Sequence, residues 1–298
     1  MLKIKKYGAI DIGSNAVRLL ISNIIEEKGK EPLFKKASLV RVPIRLGTDA
    51  FVTGIISEEN TARMVDAMAA FKLIMKVHGV EKYKACATSA MREALNGTQV
   101  VNIILKEADI EIDVIDGKKE AAIIFSTDLH HLIKSESTYL YVDVGGGSTE
   151  FTLFSKGRIV KSKSFKIGTV RLINNKKTEN NIIFKEVQEW VEENTKNYGR
   201  ISLIGSGGNI NKIFKMSGRD LGKPISYIYL NAQYQFLKQM TYKERISELS
   251  LNPDRADVIV PATKIYLSAM KWSGARKIFV PKIGLSDGII KSLYFNKL

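Results

Sequence analysis

Tyr7-Gly-Ala-Ile-Asp11-Ile-Gly-Ser-Asn15-Ala-Val-Arg18-Leu-Leu-Ile21 and Tyr139-Leu-Tyr-Val-Asp143-Val-Gly-Gly-Gly-Ser-Thr149-Glu-Phe-Thr-Leu153 follow one pattern. In each, an apolar strand delivers a carboxylate to a glycine-containing turn, and a second apolar strand leaves it. The aspartates stand 132 positions apart (143 − 11), so one phosphate-cradling hairpin occurs twice in a chain long enough for two domains of about 150 residues each. Glycine at 13, and at 145, 146 and 147, removes Cβ and lets backbone N–H groups converge on an anion. Ser14, Asn15, Ser148 and Thr149 add side-chain donors. A carboxylate beside such a nest would repel bare phosphate, so Asp11 and Asp143 make sense as Mg²⁺ ligands or as groups that position water, with Glu150 joining them. The bland alternative, two tight hairpins with capping aspartates, would have to arise twice. Each turn leads into a strand instead of a helix, which excludes dinucleotide-binding and P-loop readings.

Working outward, Gly205-Ser-Gly-Gly-Asn209 follows a strand and opens a helix. That arrangement aims helix N-terminal amides of Gly207, Gly208 and Asn209 at negative charge. Arg92, in Ala87-Thr-Ser-Ala-Met-Arg92, falls in the first turn of a helix after a strand, where a guanidinium forks onto phosphate oxygens. The pattern predicts mixed α/β structure: strands near 5–25, helices at 58–78, 89–95 and 98–108, strands at 83–88 and 110–115, and a helix over 118–133. The second half predicts a hairpin at 139–155, a strand at 158–165, a helix at 183–197, the 201–214 strand–turn–helix, helices between 231 and 273, and a strand at 277–281. The domain boundary is placed near 118–135, dividing the chain into 1–125 and 126–298, with the final helix a candidate to cross back to the first domain.

The totals fit that picture. The chain has 298 residues, 45% of them apolar, enough for two cores. No run of about 18 apolar residues predicts a membrane span, and Met1-Leu-Lys-Ile-Lys-Lys6 lacks the apolar segment and cleavage site of a signal peptide. The single cysteine, Cys86, cannot form an internal disulfide and sits in a strand-like segment, which suits packing in a reducing cytoplasm. A formal net charge of +15 favours anionic ligands. Its lysines are scattered, without the basic runs and interleaved aromatics of a nucleic-acid platform, so neither a specific nucleic acid nor a membrane is expected as partner. His78, His130 and His131 have no metal-ligand spacing.

As an ordered set, AIDIGSNAVRLLI at 9–21, ATSAMREALN at 87–96, IDGKKEA at 115–121, VDVGGGSTEF at 142–151, KIGTVRL at 166–172, GSGGN at 205–209 and DRADVIVPA at 254–262 resemble the exopolyphosphatase/guanosine-pentaphosphate phosphohydrolase (Ppx/GppA) family. The resemblance implies the actin–hexokinase–Hsp70 superfold, with two RNase H-like (actin-like ATPase) domains and an interdomain cleft holding a phosphate chain. It implies Mg²⁺-assisted attack of water on the terminal phosphate. In that family the general base is the second Glu of a Gly-x-Glu-Glu-Ala segment; here Gly117-Lys-Lys-Glu120-Ala matches it at Glu120, while Lys119 replaces the acidic neighbour and Ala122 a usual arginine. The implied roles are Glu120 activating water, Asp143 with Glu150 and Asp11 holding Mg²⁺, and Gly13, Ser14, Asn15, Arg92, Gly145, Gly146, Gly147, Ser148, Gly207, Gly208 and Asn209 gripping phosphate. The chain looks like the short form of the family, without the C-terminal helical extension of many relatives, and a cytoplasmic homodimer is the family-based expectation. Inorganic polyphosphate ranks first as substrate because each added phosphate contributes contacts and counterion release. Guanosine pentaphosphate (pppGpp) is the alternative. Two further readings stay open: a sugar or carboxylate kinase of the same superfold, and a polyphosphate or nucleotide sensor without turnover.

Overall fold

A computed structural model describes residues 2–127 and 137–297. The chain divides into two compact units, Met1–Thr127 with Leu285–Leu298, and Asp128–Gly284. The helix expected over 118–133 ends at Phe125 with Ser126 as its cap, and residues 128–133, with His130 and His131 among them, lie outside the described residues.

In the first unit, β1 (Leu2–Ile12), β2 (Val17–Glu27) and β3 (Leu33–Val42) form an antiparallel meander. Helices α1 (Leu46–Val52) and α2 (Glu58–His78) lead to β4 (Lys82–Ala87), then α3 (Ser89–Glu93), α4 (Gly97–Ala108), β5 (Ile112–Val114) and α5 (Gly117–Phe125). Strand order is β3-β2-β1-β4-β5, with β4 parallel to β1 and β5 parallel to β4. The core gathers Ile10, Ile12, Leu19 and Ile21 from the sheet with Met64, Met68, Phe71 and Met75 from one face of α2. Ser57 caps α2 by accepting from Asn60 N at 3.2 Å, and Gly79 ends it at φ 67, where glycine avoids the Cβ penalty of left-handed backbone.

The second unit repeats the plan. β6 (Thr138–Val144), β7 (Thr149–Ser155) and β8 (Arg158–Phe165) form the meander, followed by α6 (Thr169–Asn174), α7 (Lys177–Thr195), β9 (Ile201–Ser206) and α8 (Gly208–Met216). Then come β10 (Ile225–Ser226), α9 (Tyr227–Gln239), α10 (Tyr242–Ser247), α11 (Pro253–Ala256), α12 (Ile259–Trp272) and β11 (Lys277–Phe279). The order β10-β11-β9-β6-β7-β8, with β9 parallel to β6 and to β11, matches the first sheet with one short strand added. Phe151, Phe165 and Trp190 meet edge to face at centroid separations of 5.6, 6.3 and 5.8 Å. Such pairs add about 0.5–1.5 kcal/mol each beyond area burial.

β3 and α7 differ from the sequence expectation. β3 was not expected: it is an edge strand, largely exposed, and a bulge opposite Ile21/Ser22 breaks its alternation. α7 begins six residues earlier than the 183 start (183 − 177), because its first turn is solvated and apolar packing begins only at Ile183 and Phe184. The C-terminal helix Leu285–Tyr294 belongs to the first unit. It packs on α5 so closely that a Cβ on Gly288 would stand 2.2 Å from the Ile123 carbonyl oxygen. Ser126 Oγ, which donates to Ile123 O at 2.6 Å, lies 3.1 Å from Ser292 Oγ.

Cys86 is fully buried on β4, and burial, with Asp113 adding negative potential, pushes its thiol up to about 12. Because the thiolate is the reactive form, the native protein is expected to react with a thiol reagent at pH 8 only as fast as it opens, and at once in denaturant. Rapid stoichiometric labelling without denaturant contradicts the packing role.

Candidate active site

Each meander places one side chain of β1 or β6 opposite one of β2 or β7. In the first unit the register pairs Asp11 with Arg18; in the second it pairs Asp143 with Glu150. Both pairs obey the same spacing of 132 (143 − 11 and 150 − 18). Cross-strand partners share a face with Cβ atoms about 5 Å apart, so the repeat holds an ion pair in one unit and two carboxylates in the other. Arg18 NH1 donates to Asp11 Oδ2 at 2.7 Å, and the Asp11 side chain is 7% exposed. Removing the cation from such a pair would leave a buried carboxylate without its charge partner, which is destabilising. Asp11 is thereby supplied with a cation from its own hairpin. Arg18 was not singled out in the sequence, although laying the two hairpins over each other puts it at the position of Glu150.

The dicarboxylate pair is held by hydroxyls. Glu150, 3% exposed, accepts at Oε1 from Ser148 Oγ at 2.7 Å and Ser164 Oγ at 2.8 Å. Asp143 accepts at Oδ2 from Tyr141 OH at 3.2 Å and Ser206 Oγ at 3.1 Å. Tyr266 OH donates to the Ser206 carbonyl oxygen. Burial, together with the Asp143 carboxylate, pushes both phenols well above their ordinary range, so they serve as neutral donors. Tyr141, Ser164, Ser206 and Tyr266 escaped the sequence reading because their significance comes from register and tertiary packing.

The glycine turns are sewn to the helices that follow them. Gly145 O and Gly146 O accept from Thr169 N at 3.0 Å and Val170 N at 2.9 Å, and Gly147 O accepts from Arg171 Nε at 2.7 Å. In a planar trans peptide the C=O and the next residue's N–H point in opposite directions. With three carbonyls taken up by α6, the N–H groups of Gly146, Gly147 and Ser148 are left to point away from it, the sense an anion-binding turn requires. The first unit does the same with fewer contacts: Ser14 O accepts from Gly47 N at 2.7 Å and Asn15 O from Arg45 N at 3.1 Å. Ser14 Oγ lies 3.0 Å from Ser89 Oγ. The third turn reaches the same carboxylate as the second hairpin. Gly207, at φ 118, approaches it so closely that a Cβ there would stand 3.5 Å from Asp143 Oδ1 and 3.0 Å from Val144 O. The N-terminus of α8, with Gly208 and Asn209, opens beside Asp143.

Glu120 lies in the first turn of α5 and is half-buried. Asp116 caps this helix by accepting from Lys119 N at 2.7 Å, a bond that holds its carboxyl below the usual range. Arg92 NH1 donates to Ile115 O at 2.6 Å just before the helix, so one donor of this proposed phosphate ligand holds the helix start. Lys119, which departs from the family pattern, stands 3.2 Å from Asp113 Oδ2 and ties α5 to β5.

Mg²⁺ takes oxygen ligands, keeps several waters and usually binds one or two carboxylates together with substrate phosphates. Asp143 and Glu150, paired across β6–β7 beside an anion nest, fit that demand. Among the described residues no group of three or more His, Cys, Asp and Glu is gathered.

Two α/β units of one topology, each with a carboxylate-bearing glycine hairpin, define the actin-like two-domain class. Within that class the chain belongs to the Ppx/GppA phosphatase family, whose model matches residues 24–296. It is similar to the crystal structure of an exopolyphosphatase from Cytophaga hutchinsonii, with a TM-score of 0.86, 25% identity and 98% of each chain covered. The Ppx/GppA family member of Aquifex aeolicus shares the fold at a TM-score of 0.78, with 24% identity and 99% of each chain covered. Exopolyphosphatase 2 of Mycobacterium tuberculosis is 25% identical over 322 residues, covering 98% of this chain and 99% of that protein. A bifunctional 3-dehydroquinate synthase/phosphatase of Fusobacterium nucleatum is 31% identical over 303 residues; the match takes in 91% of this chain and 44% of that protein.

Proposed function

We propose that the protein is an exopolyphosphatase that hydrolyses the terminal phosphate of inorganic polyphosphate. The observation that carries this reading is the second hairpin: a glycine turn whose three carbonyls are taken up by α6, beside the cross-strand pair Asp143 and Glu150. Phosphoryl transfer needs alignment and charge neutralisation above all, and this hairpin supplies both. Amides of Gly146, Gly147 and Ser148, with the α8 N-terminus at Gly207–Asn209, hold phosphate oxygens. Asp143 and Glu150 hold Mg²⁺, which when bound neutralises phosphate charge. The hydroxyls of Tyr141, Ser206, Ser148 and Ser164 fix the two carboxylates. Glu120 takes a proton from water as its oxygen bonds to the terminal phosphorus, and the bridging P–O bond breaks with its electron pair leaving on the shortened chain. Gly13, Ser14, Asn15 and Arg92 are the corresponding phosphate-oxygen donors of the first unit, where Asp11 is paired with Arg18. The single cysteine fits a reducing compartment.

The same chemistry on pppGpp would yield the tetraphosphate. Initial rates on long-chain polyphosphate, pppGpp, and ATP with a panel of small hydroxyl acceptors separate the readings. Expected is the highest kcat/KM for polyphosphate, with orthophosphate as product and loss of activity in EDTA. A higher kcat/KM for pppGpp reverses the substrate assignment, and ATP-dependent labelling of an acceptor without polyphosphate hydrolysis overturns it in favour of a kinase.

A further inference from the structure

The second unit carries a cavity of about 370 Å³ away from the hairpins, between α8 and the loops before α11 and after β11. Four cations line it, Lys212, Lys215, Arg255 and Lys282, and no carboxylate does. Lys212 Nζ donates to Leu249 O at 3.0 Å, which uses one of the three donors of an ammonium. Lys282 is held at φ 57, left-handed backbone that a non-glycine residue keeps only where the surroundings impose it. Asn211 lines the same cavity, and its buried Oδ1 has no hydrogen-bond partner. The Asn211 amide therefore has hydrogen-bonding capacity that the surrounding protein does not use.

The lining also says what the cavity does not take. Leu251 is its one apolar wall and no aromatic residue faces it, whereas a nucleobase binds by burying its faces against apolar or aromatic side chains. Concentrated positive charge with polar walls matches a polyanion without a base. The placement is equally specific. Lys215 lies seven residues along α8 from Gly208 (215 − 208), about 10 Å at the helical rise. The cavity therefore borders the same helix that starts at the phosphate turn.

We propose that this cavity is a second subsite for inorganic polyphosphate, engaging a stretch of chain several phosphates from the one being cleaved. It rests on the polyphosphate reading of the hairpin site and deepens it, by making affinity depend on chain length. The test compares wild type, Lys215→Gln/Lys282→Gln, and a charge-matched control, Lys161→Gln/Lys185→Gln, on β8 and α7. Direct binding of long-chain polyphosphate is measured in EDTA, so that no turnover is required, alongside hydrolysis of tripolyphosphate in Mg²⁺. The cavity variant is expected to lose at least tenfold in affinity for the long chain. Its plot of log affinity against log salt should be shallower by about 1.5, since each removed cation leaves a counterion unreleased. The control should bind as wild type, and tripolyphosphate hydrolysis and the melting midpoint should stay unchanged in both. Long-chain binding equal to the control, or an equal loss on tripolyphosphate, overturns the subsite. A greater cavity-dependent loss for pppGpp than for polyphosphate overturns it as well. Cavity-dependent binding in a protein that hydrolyses no polyphosphate keeps the subsite and rejects the hydrolase reading.

Discussion

Glu120→Gln is expected to lower kcat on polyphosphate by about 10²–10⁴-fold, the contribution of a positioned general base, while long-chain binding and the melting midpoint stay at wild-type values. The amide keeps the shape of the carboxylate and removes its basicity. Several contacts that build α5 come from other residues. The helix is started by Asp116 on Lys119 N, preceded by the Arg92 bond to Ile115 O, tied down by Lys119 on Asp113 and backed by Gly288 against Ile123. A loss in kcat at constant affinity therefore reports the chemical step and not the fold. Paired rate and binding measurements decide it, and a variant that keeps wild-type kcat removes Glu120 from the mechanism.

Gly168→Ala is expected to be the most damaging single methyl in the second unit. A Cβ at 168 would stand 2.3 Å from Gly146 O, 2.4 Å from Gly146 C and 2.5 Å from Gly147 C. Those atoms are backbone of the anion nest itself and cannot rotate aside. Relief requires the turn to separate from α6, breaking the bonds from Thr169 N and Val170 N that orient its amides. Overpacking of this kind costs about 1–3 kcal/mol in stability, and a displacement of about 1 Å at a reacting group costs on the order of 10²-fold in rate. Expected are a lowered melting midpoint and a drop of about 10²-fold in kcat/KM. Gly199→Ala, with nothing within 4 Å of its Cβ, should be neutral in both assays. Full activity in Gly168→Ala would show that the nest is not used.

The two hairpins were legible because their evidence is local: alternating apolar strands, a carboxylate and glycine at fixed offsets, repeated once. The asymmetry between them was present but unread. Arg18 and Glu150 occupy equivalent positions, and that difference distinguishes a self-neutralised aspartate from a pair able to hold a cation. Ser148 was expected to grip phosphate, and its hydroxyl is found donating to Glu150, leaving its backbone N–H for the anion. Tyr141 and Tyr266 could not be read, since one projects from the same strand as Asp143 and the other arrives from α12, 123 positions away (266 − 143). β3 escaped because an exposed edge strand carries little apolar pattern. The crossing of the C-terminal helix back to the first unit was anticipated, but not the contact that seats it, Gly288 against Ile123.

The most direct test is hydrolysis of long-chain polyphosphate in ¹⁸O-enriched water with Mg²⁺, with the released orthophosphate read by mass. Attack of water on the terminal phosphorus predicts steady orthophosphate release, each molecule carrying one oxygen from the solvent, at a rate that collapses in Glu120→Gln. Orthophosphate that is absent, or that is released equally fast without the Glu120 carboxylate, contradicts it.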